Sequence, residues 1–200
     1  MTQDSSSEAS LAELIAEAQQ GNIAAFERLM AMYQGKILSF ARAFVSDPEH
    51  ASDVAQDAML RIYRSIGGFR FQSSLQTWIF RIVRNIVLDH AKSRRSKERK
   101  REQSLDGTPE REIGESGDRS PEAQLLAHER KSQLWSALSE IPEAYRSVLV
   151  LADLQGMSYE EVAAIVDTPV GTVKSRLNRG REALRVVLLE KGCLCEGRRS

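Results

Sequence analysis

Apolar side chains recur every three or four residues from about residue 10 into the nineties, and again beyond residue 120; between the two tracts the rhythm fails. That spacing belongs to amphipathic helices, and no stretch alternates with the period of two that a half-buried strand needs. The seventeen residues 104–120, SLDGTPEREIGESGDRS, collect glycine, proline, serine and acids, which is the composition of a linker. The chain is therefore expected to be all-α, with two small helical domains joined by a flexible linker: a four-helix module, then a helix-turn-helix module. Its boundaries read as a disordered N-terminus over 1–9, a first domain over 10–98, a linker over 99–120, a second domain over 121–190 and a tail over 191–200. At 42% apolar and only 6% aromatic, the composition supports a core built from aliphatic helix faces.

Local signals place the helices. Ser10 with Glu13 forms a capping-box pattern ahead of Leu11, Leu14, Ile15 and Ala18. Gly21-Asn22 ends that helix and Asn22 can cap a second, whose stripe runs through Phe26, Leu29, Met30, Tyr33, Ile37, Phe40 and Phe44. Asp47-Pro48 opens a third helix, which stops at Gly67-Gly68. Ser74 can cap a long fourth helix that continues into a basic run. Past the linker, helices are expected at about 121–139, 143–154, 159–166 and 169–190. A coil of seventeen residues spans roughly 23 Å and reaches about 58 Å when extended, enough to let two tethered modules engage separate sites.

Several classes are disfavoured. No apolar run approaches the ~18 residues that would span a bilayer, and the opening MTQDSSSEAS does not read as a secretory signal. Two cysteines, Cys193 and Cys195, make no disulfide framework and fit a reducing, cytoplasmic setting. A Cys-x-Cys pair can chelate, but two ligands do not close a zinc site, so an inert tail is the expectation and no metal or other cofactor is expected. His50, His90 and His128 fall on different helices without ligand spacing, and no phosphate-cradling glycine loop appears. An enzyme is not expected.

The formal net charge of zero conceals a separation: residues 92–103 carry seven basic and two acidic side chains, and 104–142 carry four basic and eight acidic. Such a basic run is either a solvated helix face or a nucleic-acid contact. The tie is broken further along. Ser158 and Glu161 form a capping box, Asp167-Thr168-Pro169 a tight turn, and Pro169 can start a second helix. Two helices joined so closely read either as a plain hairpin or as helix-turn-helix. On a wheel from Val170, the residues Val173, Leu177, Gly180, Leu184, Val187 and Leu188 share one arc. Lys174, Ser175, Asn178 and Arg179 lie opposite, flanked by Thr172, Arg176, Arg181 and Arg185. Five basic and one acidic residue over 170–185 favour contact with DNA.

The fourth helix has an odd member. Leu75, Ile79, Phe80, Ile82, Val83, Ile86 and Val87 form its apolar arc, while Thr77, Arg81, Arg84, Asn85, Asp89 and Lys92 form the polar one, and Trp78 sits among the latter. Trp78 either packs on another helix, under Phe69 or Phe71, or offers a stacking platform for unpaired bases.

Asp53-Val-Ala-Gln56-Asp57-Ala-Met-Leu-Arg-Ile-Tyr63, then Phe69-Arg70, then Leu75 through His90 resemble region 2 of bacterial sigma factors. Leu138-Ser-Glu-Ile-Pro142 with Ser158–Arg179 resembles region 4. The absence of a module between them resembles the extracytoplasmic-function (ECF) group of the sigma-70 family. The likeness covers about residues 10–98 and 121–188. It implies docking on the β′ clamp helices of core RNA polymerase through Asp53, Gln56, Asp57, Leu60 and Arg61. It implies recognition and melting of the minus-ten element by Phe69, Arg70, Phe71, Trp78, Arg81, Asn85 and Lys92, and reading of the minus-thirty-five element by Thr172, Lys174, Ser175, Arg176, Asn178 and Arg179. The implied partners are core polymerase, including its β flap, promoter DNA and an anti-sigma factor, possibly membrane-linked, with no membrane insertion of the chain itself. Met59 stands where the family more often has Phe, and Asn178 where aromatic residues or His are common. The rival reading is a stand-alone helix-turn-helix regulator, which would need neither Trp78 on a polar arc nor a docking helix. Two modules on a tether are also expected to leave their working surfaces open.

Overall fold

Polar caps set the helix starts in this chain, as the computed structural model shows for the backbone of residues 3–101 and 121–193 and for side chains over 10–93 and 130–193. The Asn22 side chain accepts from the Ala25 N–H at 3.2 Å, and Asp47 accepts from the Glu49 N–H at 3.1 Å ahead of Pro48. The Ser74 hydroxyl accepts from the Thr77 N–H at 3.1 Å, and the Ser158–Glu161 capping box is complete in both directions. Each cap satisfies an N–H that the first helical turn leaves without a partner. The resulting elements are α1 (Gln3–Gln19), α2 (Ile23–Ala31), α3 (Gln34–Arg42), α4 (Pro48–Ser65), α5 (Leu75–Arg101), α6 (Pro121–Glu140), α7 (Glu143–Leu149), α8 (Tyr159–Val166) and α9 (Val170–Glu190). No strand occurs among the described residues.

Three local expectations need correction. The stripe Phe26–Phe44 is two helices, because α2 closes at Met32, where the Met32 N–H donates to the Leu29 carbonyl and the Tyr33 N–H to the Met30 carbonyl, and α3 begins after Tyr33. Leu29, Ile37 and Phe40 are still all buried, so the apolar spacing survived a break that neither glycine nor proline marks. The first helix starts ahead of Ser10, and α5 runs through residues 99–101, which read as linker. The segment expected as one helix over 143–154 is α7 followed by a π turn over Val150–Leu154. The remainder of the expected linker, residue 102 onward, lies outside the described residues, as do Cys195 and the side chain of His128.

Alternate burial then assembles the core. Phe40 and Phe80 meet edge-on at 5.8 Å between ring centres, with Ile37, Ile62 and Ile79 fully buried around them. Leu138, Ile141, Leu151 and Leu177 fill the C-terminal module. The two sets join into one contiguous buried cluster. The modules are packed together, contrary to the expectation of surfaces left open on a tether: α5 lies against α8. Arg146, 3% exposed, donates to the Ala43 carbonyl of the N-terminal module at 3.1 Å, and the Gln155 amide donates to the Lys36 carbonyl at 3.4 Å.

The helix-turn-helix forms as expected. Asp167 adopts the left-handed conformation (φ 53°, ψ 54°), ending α8 so that Pro169 can lead into α9. Gly180 lets α9 approach α7 closely: a Cβ there would meet Leu149 Cδ1 at 2.9 Å and Tyr145 Cβ at 3.2 Å. Overpacking of this kind costs about 1–3 kcal/mol, against roughly 1 kcal/mol gained from helix propensity. Thermal melting of Gly180→Ala should therefore start several degrees lower. Gly35→Ala, whose Cβ meets nothing within 4 Å, should melt no lower than the parent.

Candidate nucleic-acid interface

The α4 sequence turns Ala51, Val54, Ala55, Ala58 and Ile62 inward, and the opposite stripe follows from that. Asp53, Gln56, Asp57, Leu60 and Arg61 are all exposed, Leu60 at 45%, with Tyr63 beside them at 39%. An acidic and polar ridge carrying two large apolar side chains suits a protein partner, because apolar anchors within a polar rim are how interfaces gain affinity and orientation. Asp57 Oδ2 lies 3.2 Å from His90 Nε2, and the His50 and His90 rings are 6.0 Å apart. The fold thus gathers two histidines that sequence spacing separates. Among the described residues, however, no group of three or more side chains is arranged to hold a metal.

An aromatic ladder stands next to this ridge. Phe71 and Phe69 are 4.8 Å apart, and Phe69 and Trp78 are 5.4 Å apart. Phe69 is buried, Trp78 half-buried and Phe71 57% exposed. Both alternatives for Trp78 hold in part: one side of its ring packs on Phe69, while the residue also lines a cleft of about 620 Å³ between α4 and α5. Asp57, Arg61, Arg64, Asn85 and Ile86 share that cleft, so residues assigned to docking and to minus-ten recognition face one another. Ile82 and Ile86, read as core, instead line its wall. Phe71 has φ 56°, a strained conformation for a bulky residue. The loop that holds it is pinned by a residue the sequence did not flag: Gln19 Nε2 donates to the Ile66 carbonyl at 3.1 Å and to the Phe69 carbonyl at 2.7 Å. Arg70, Asn85 and Lys92 are exposed.

The other end of α5 differs from the wheel's expectation. Thr77, placed on the polar arc, is 2% exposed. Ser74 and Thr77 donate to Glu161 Oε1 at 2.9 and 3.3 Å, and Arg81 Nε donates to the Ala164 carbonyl at 2.9 Å. Partial burial opposes the charge on Glu161, but hydrogen bonds from the Ser158 N–H, Ser74, the Ser158 hydroxyl and Thr77 outweigh it and hold its carboxyl below its ordinary value. These bonds are consequently in force from about neutrality down to the ordinary carboxyl range and are lost as pH falls through the lowered value.

On α9, Val173, Leu177 and Gly180 are buried as expected, and Lys174, Ser175, Asn178 and Arg179 are exposed, with Thr172 and Arg176 half-buried. The Ser175 hydroxyl bonds back to the Thr172 carbonyl at 2.9 Å, and Lys174 Nζ sits 5.8 Å from the centre of the Tyr159 ring. Arg181 is engaged elsewhere, in a two-pronged pair with Asp153 at 2.9 and 2.6 Å that raises its already high pKa. Arg185 pairs with Glu182 at 2.9 Å. With Arg181 and Arg185 paired to carboxylates, the positive charge of this helix face concentrates on Lys174, Arg176 and Arg179, in the N-terminal half of α9.

The comparisons with known proteins agree with this geometry. The family model for sigma-70 region 2 matches residues 29–97, and that for sigma-70 region 4 matches residues 131–184. The RNA polymerase sigma-H factor of Pseudomonas aeruginosa and the ECF RNA polymerase sigma-E factor of Escherichia coli are each 36% identical over 178 residues, spanning 86% of this chain and 90% of theirs. The chain belongs to the sigma-70 family, as an ECF sigma factor. Solved relatives include CnrH in complex with the cytosolic domain of CnrY (26% identical, TM-score 0.64, covering 88% of this chain and 96% of that one). Another is the sigma factor RpoE with the anti-sigma factor NepR from Bartonella quintana (26% identical, TM-score 0.62, covering 82% and 96%). Sigma factors are non-enzymatic transcription initiation factors, so the reading as a stand-alone regulator gives way to this one. No helix among the described residues is long and apolar enough to cross a membrane.

The Gln19 anchor yields a direct test in this sigma factor. Gln19→Ala leaves the Phe69 carbonyl without its donor and the Ile66 carbonyl with the Phe69 N–H alone, and an orphaned carbonyl costs about 1–3 kcal/mol if it stays dry. Limited proteolysis should then cut the 66–74 loop faster than in the parent, and a parental rate would show that the loop holds itself.

Proposed function

We propose that this sigma factor works through three surfaces. The exposed α4 ridge of Asp53, Gln56, Asp57, Leu60 and Arg61 docks on the β′ clamp helices of core polymerase. Phe71, Trp78, Arg81, Asn85, Arg70 and Lys92 hold the minus-ten element, with Phe69 buried beneath as their support. Thr172, Lys174, Ser175, Arg176, Asn178 and Arg179 read the minus-thirty-five duplex. The observation that carries this reading is the cleft in which Asp57 and Arg61 face Trp78 and Asn85, since it joins a polymerase-binding ridge to an aromatic platform. A second groove of about 220 Å³, lined by Leu134, Leu138, Leu149, Leu154, Leu184 and Leu188 together with Asp153, Arg181 and Arg185, has an apolar lining that suits the apolar face of a helix, and we assign it to the β flap. All of these surfaces lie within residues 10–98 and 121–190. On this reading the protein works in the cytoplasm with polymerase and directs it to a stress- or signal-responsive set of promoters. The complex of its relative with an anti-sigma factor supports a cognate inhibitor, for which we propose a membrane-linked protein.

Three substitutions test the surfaces separately. Asp57→Lys should weaken co-elution with core polymerase while helical content is unchanged; full co-elution would remove the ridge from the docking surface. Arg179→Ala should cost about 1–3 kcal/mol on the best promoter if it reads a base edge. If it touches phosphate, affinity should drop about equally on all sequences and the salt slope should fall by about one. Finally, Trp78→Ala loses base stacking worth roughly 1–3 kcal/mol, so open-complex formation should slow by about 5- to 150-fold. Its packing on Phe69 adds some loss of thermal stability, but a template with a pre-melted bubble should restore most of the rate. Equal defects on duplex and bubble templates would confine Trp78 to packing.

A further inference from the structure

Charge is unevenly placed along α5. Residues 75–93 hold three basic and one acidic residue, whereas the eight residues 94–101 hold six basic and one acidic. The change coincides with the end of the helix's packing. Helices α4 and α5 are consecutive, packed on each other and joined by the 66–74 loop, so they run antiparallel. His90 of α5 meets Asp57 and also His50, which stands two residues from the Pro48 start of α4. Ala91 is the last buried residue of α5 among those described, and Lys92 and Ser93 are exposed. The helix nevertheless continues to Arg101, eleven residues past His90, or about 16 Å at 1.5 Å per residue. Its last turns therefore project beyond the end of the helix that supports it.

Helix stability does not account for this sequence. Cations complement the dipole at a helix C-terminus, but only within the last turn, which Arg99, Lys100 and Arg101 already fill. Arg94 and Lys97, Lys97 and Lys100, and Arg95 and Arg99 stand three or four positions apart, spacings at which like charges disfavour a helix. Glu98 is the one acid set among them. A polyanion alongside would relieve the repulsion throughout. Six cations on eight residues, about 12 Å of helix, come close to the density of duplex DNA, which carries one charge per about 1.7 Å of axis.

The position along the promoter follows from the helix itself. Residues 94–101 come 16 to 23 residues after Trp78, about 24–35 Å along α5. That distance corresponds to about 7–10 base pairs at about 3.4 Å per pair. The chain leaves α5 at this end for the helix-turn-helix module, so the pairs are counted towards the minus-thirty-five element. They fall in the duplex between the two elements, next to the phosphate path along Lys92.

We propose that residues 94–101 of α5 form a sequence-independent grip on the duplex between the minus-ten and minus-thirty-five elements, made to its phosphates. The placement rests on the assignment of Trp78 and Asn85 to the minus-ten strand. The overhang adds affinity without restricting which bases lie between the two elements, and it makes promoter binding more sensitive to salt.

The test compares the parent with a chain carrying Arg95→Gln, Lys97→Gln, Arg99→Gln and Lys100→Gln, each bound to core polymerase. Glutamine matches Lys and Arg in helix propensity, so the variant should melt as the parent does. The probe is a promoter fragment that the parent holoenzyme transcribes. Its binding should show a salt slope shallower by about two or more in the variant, at about 0.9 per phosphate released. The parent's advantage in affinity should then shrink about tenfold between about 50 and 200 mM salt. Neutral methylphosphonates placed about 7–10 pairs upstream of the minus-ten element should weaken the parent about tenfold or more and the variant less than about twofold. Changing the base sequence there at constant length should leave the parent's affinity as it was. Equal salt slopes, or methylphosphonates that weaken both holoenzymes alike or neither, would overturn the grip. Weaker binding of the variant to core polymerase without DNA would overturn it too, and give the overhang to an acidic protein surface. Normal open-complex formation by Trp78→Ala would instead overturn the minus-ten assignment, and the methylphosphonate comparison would still judge the grip by itself.

Discussion

A full positive charge inside the molecule organises its centre. Arg146 is 3% exposed, and burying a guanidinium without partners costs several kcal/mol. The sequence meets that requirement with carbonyls where helices end: Ser139 and Ile141 at the close of α6 and Ala43 at the close of α3 accept from it, and the Phe44 ring lies 5.2 Å from the guanidinium carbon. The last carbonyls of a helix have no partner of their own and carry the negative end of its dipole, so one cation satisfies the ends of two helices from different modules. The turn from α6 to α7 is thereby fixed, and with it the direction in which α7 supports α9 at Gly180. Ala43 and the Phe44 ring reach Arg146 from the N-terminal module, Ser139 and Ile141 from the C-terminal one.

The surface proposed for the minus-ten element has a different logic, with rigidity supplied from outside its exposed residues. Phe71 holds a left-handed backbone conformation that costs of order 1–3 kcal/mol, and the loop would relax without restraint. Gln19 supplies one restraint from α1 and the Phe69 ring another. An aromatic side chain is thus presented to solvent by a loop that cannot readily fold it away. A stacking platform needs that property, because a side chain that must first be ordered would lose part of the stacking energy to entropy.

Much of the fold was legible because it depends on local chemistry. The caps at Asn22, Ser74 and Ser158, the helix start at Asp47-Pro48, the αL residue at Asp167 and the buried Val173, Leu177 and Gly180 of α9 are all properties of a few neighbouring residues, and each formed as read, while Leu184, Val187 and Leu188 of the same arc are half-buried. The exposed stripe of α4 was legible for the same reason: residues 53, 56, 57, 60 and 61 share a helix face whatever surrounds them. The break between α2 and α3 was not, since Met32-Tyr33 contains no residue that prefers a turn and tertiary packing decides it. The burial of Thr77, the pairing of Arg181 with Asp153 and the meeting of His50 with His90 depend on partners 28 to 84 residues away. A helical wheel represents everything outside its own helix as solvent, and it errs where another module takes that place.

The mixed charge of the cleft between α4 and α5 restricts how DNA can occupy it. Asp57 and Asp89 stand against Arg61 and Arg64 on its walls, so its interior offers no net attraction to a phosphate, and the two aspartates would repel one deep inside. An unstacked base carries no charge and has a face for Trp78 and edges for Asn85 and Arg61. On the proposed reading, bases therefore enter the cleft while the backbone tracks outside it, along Arg70 and Lys92. Asp57 then has two duties, facing the polymerase on the ridge and excluding phosphate from the cleft beside it. Docking and strand capture share a wall, so a polymerase that engages the ridge also fixes the cleft's edge against which the melted strand must fit.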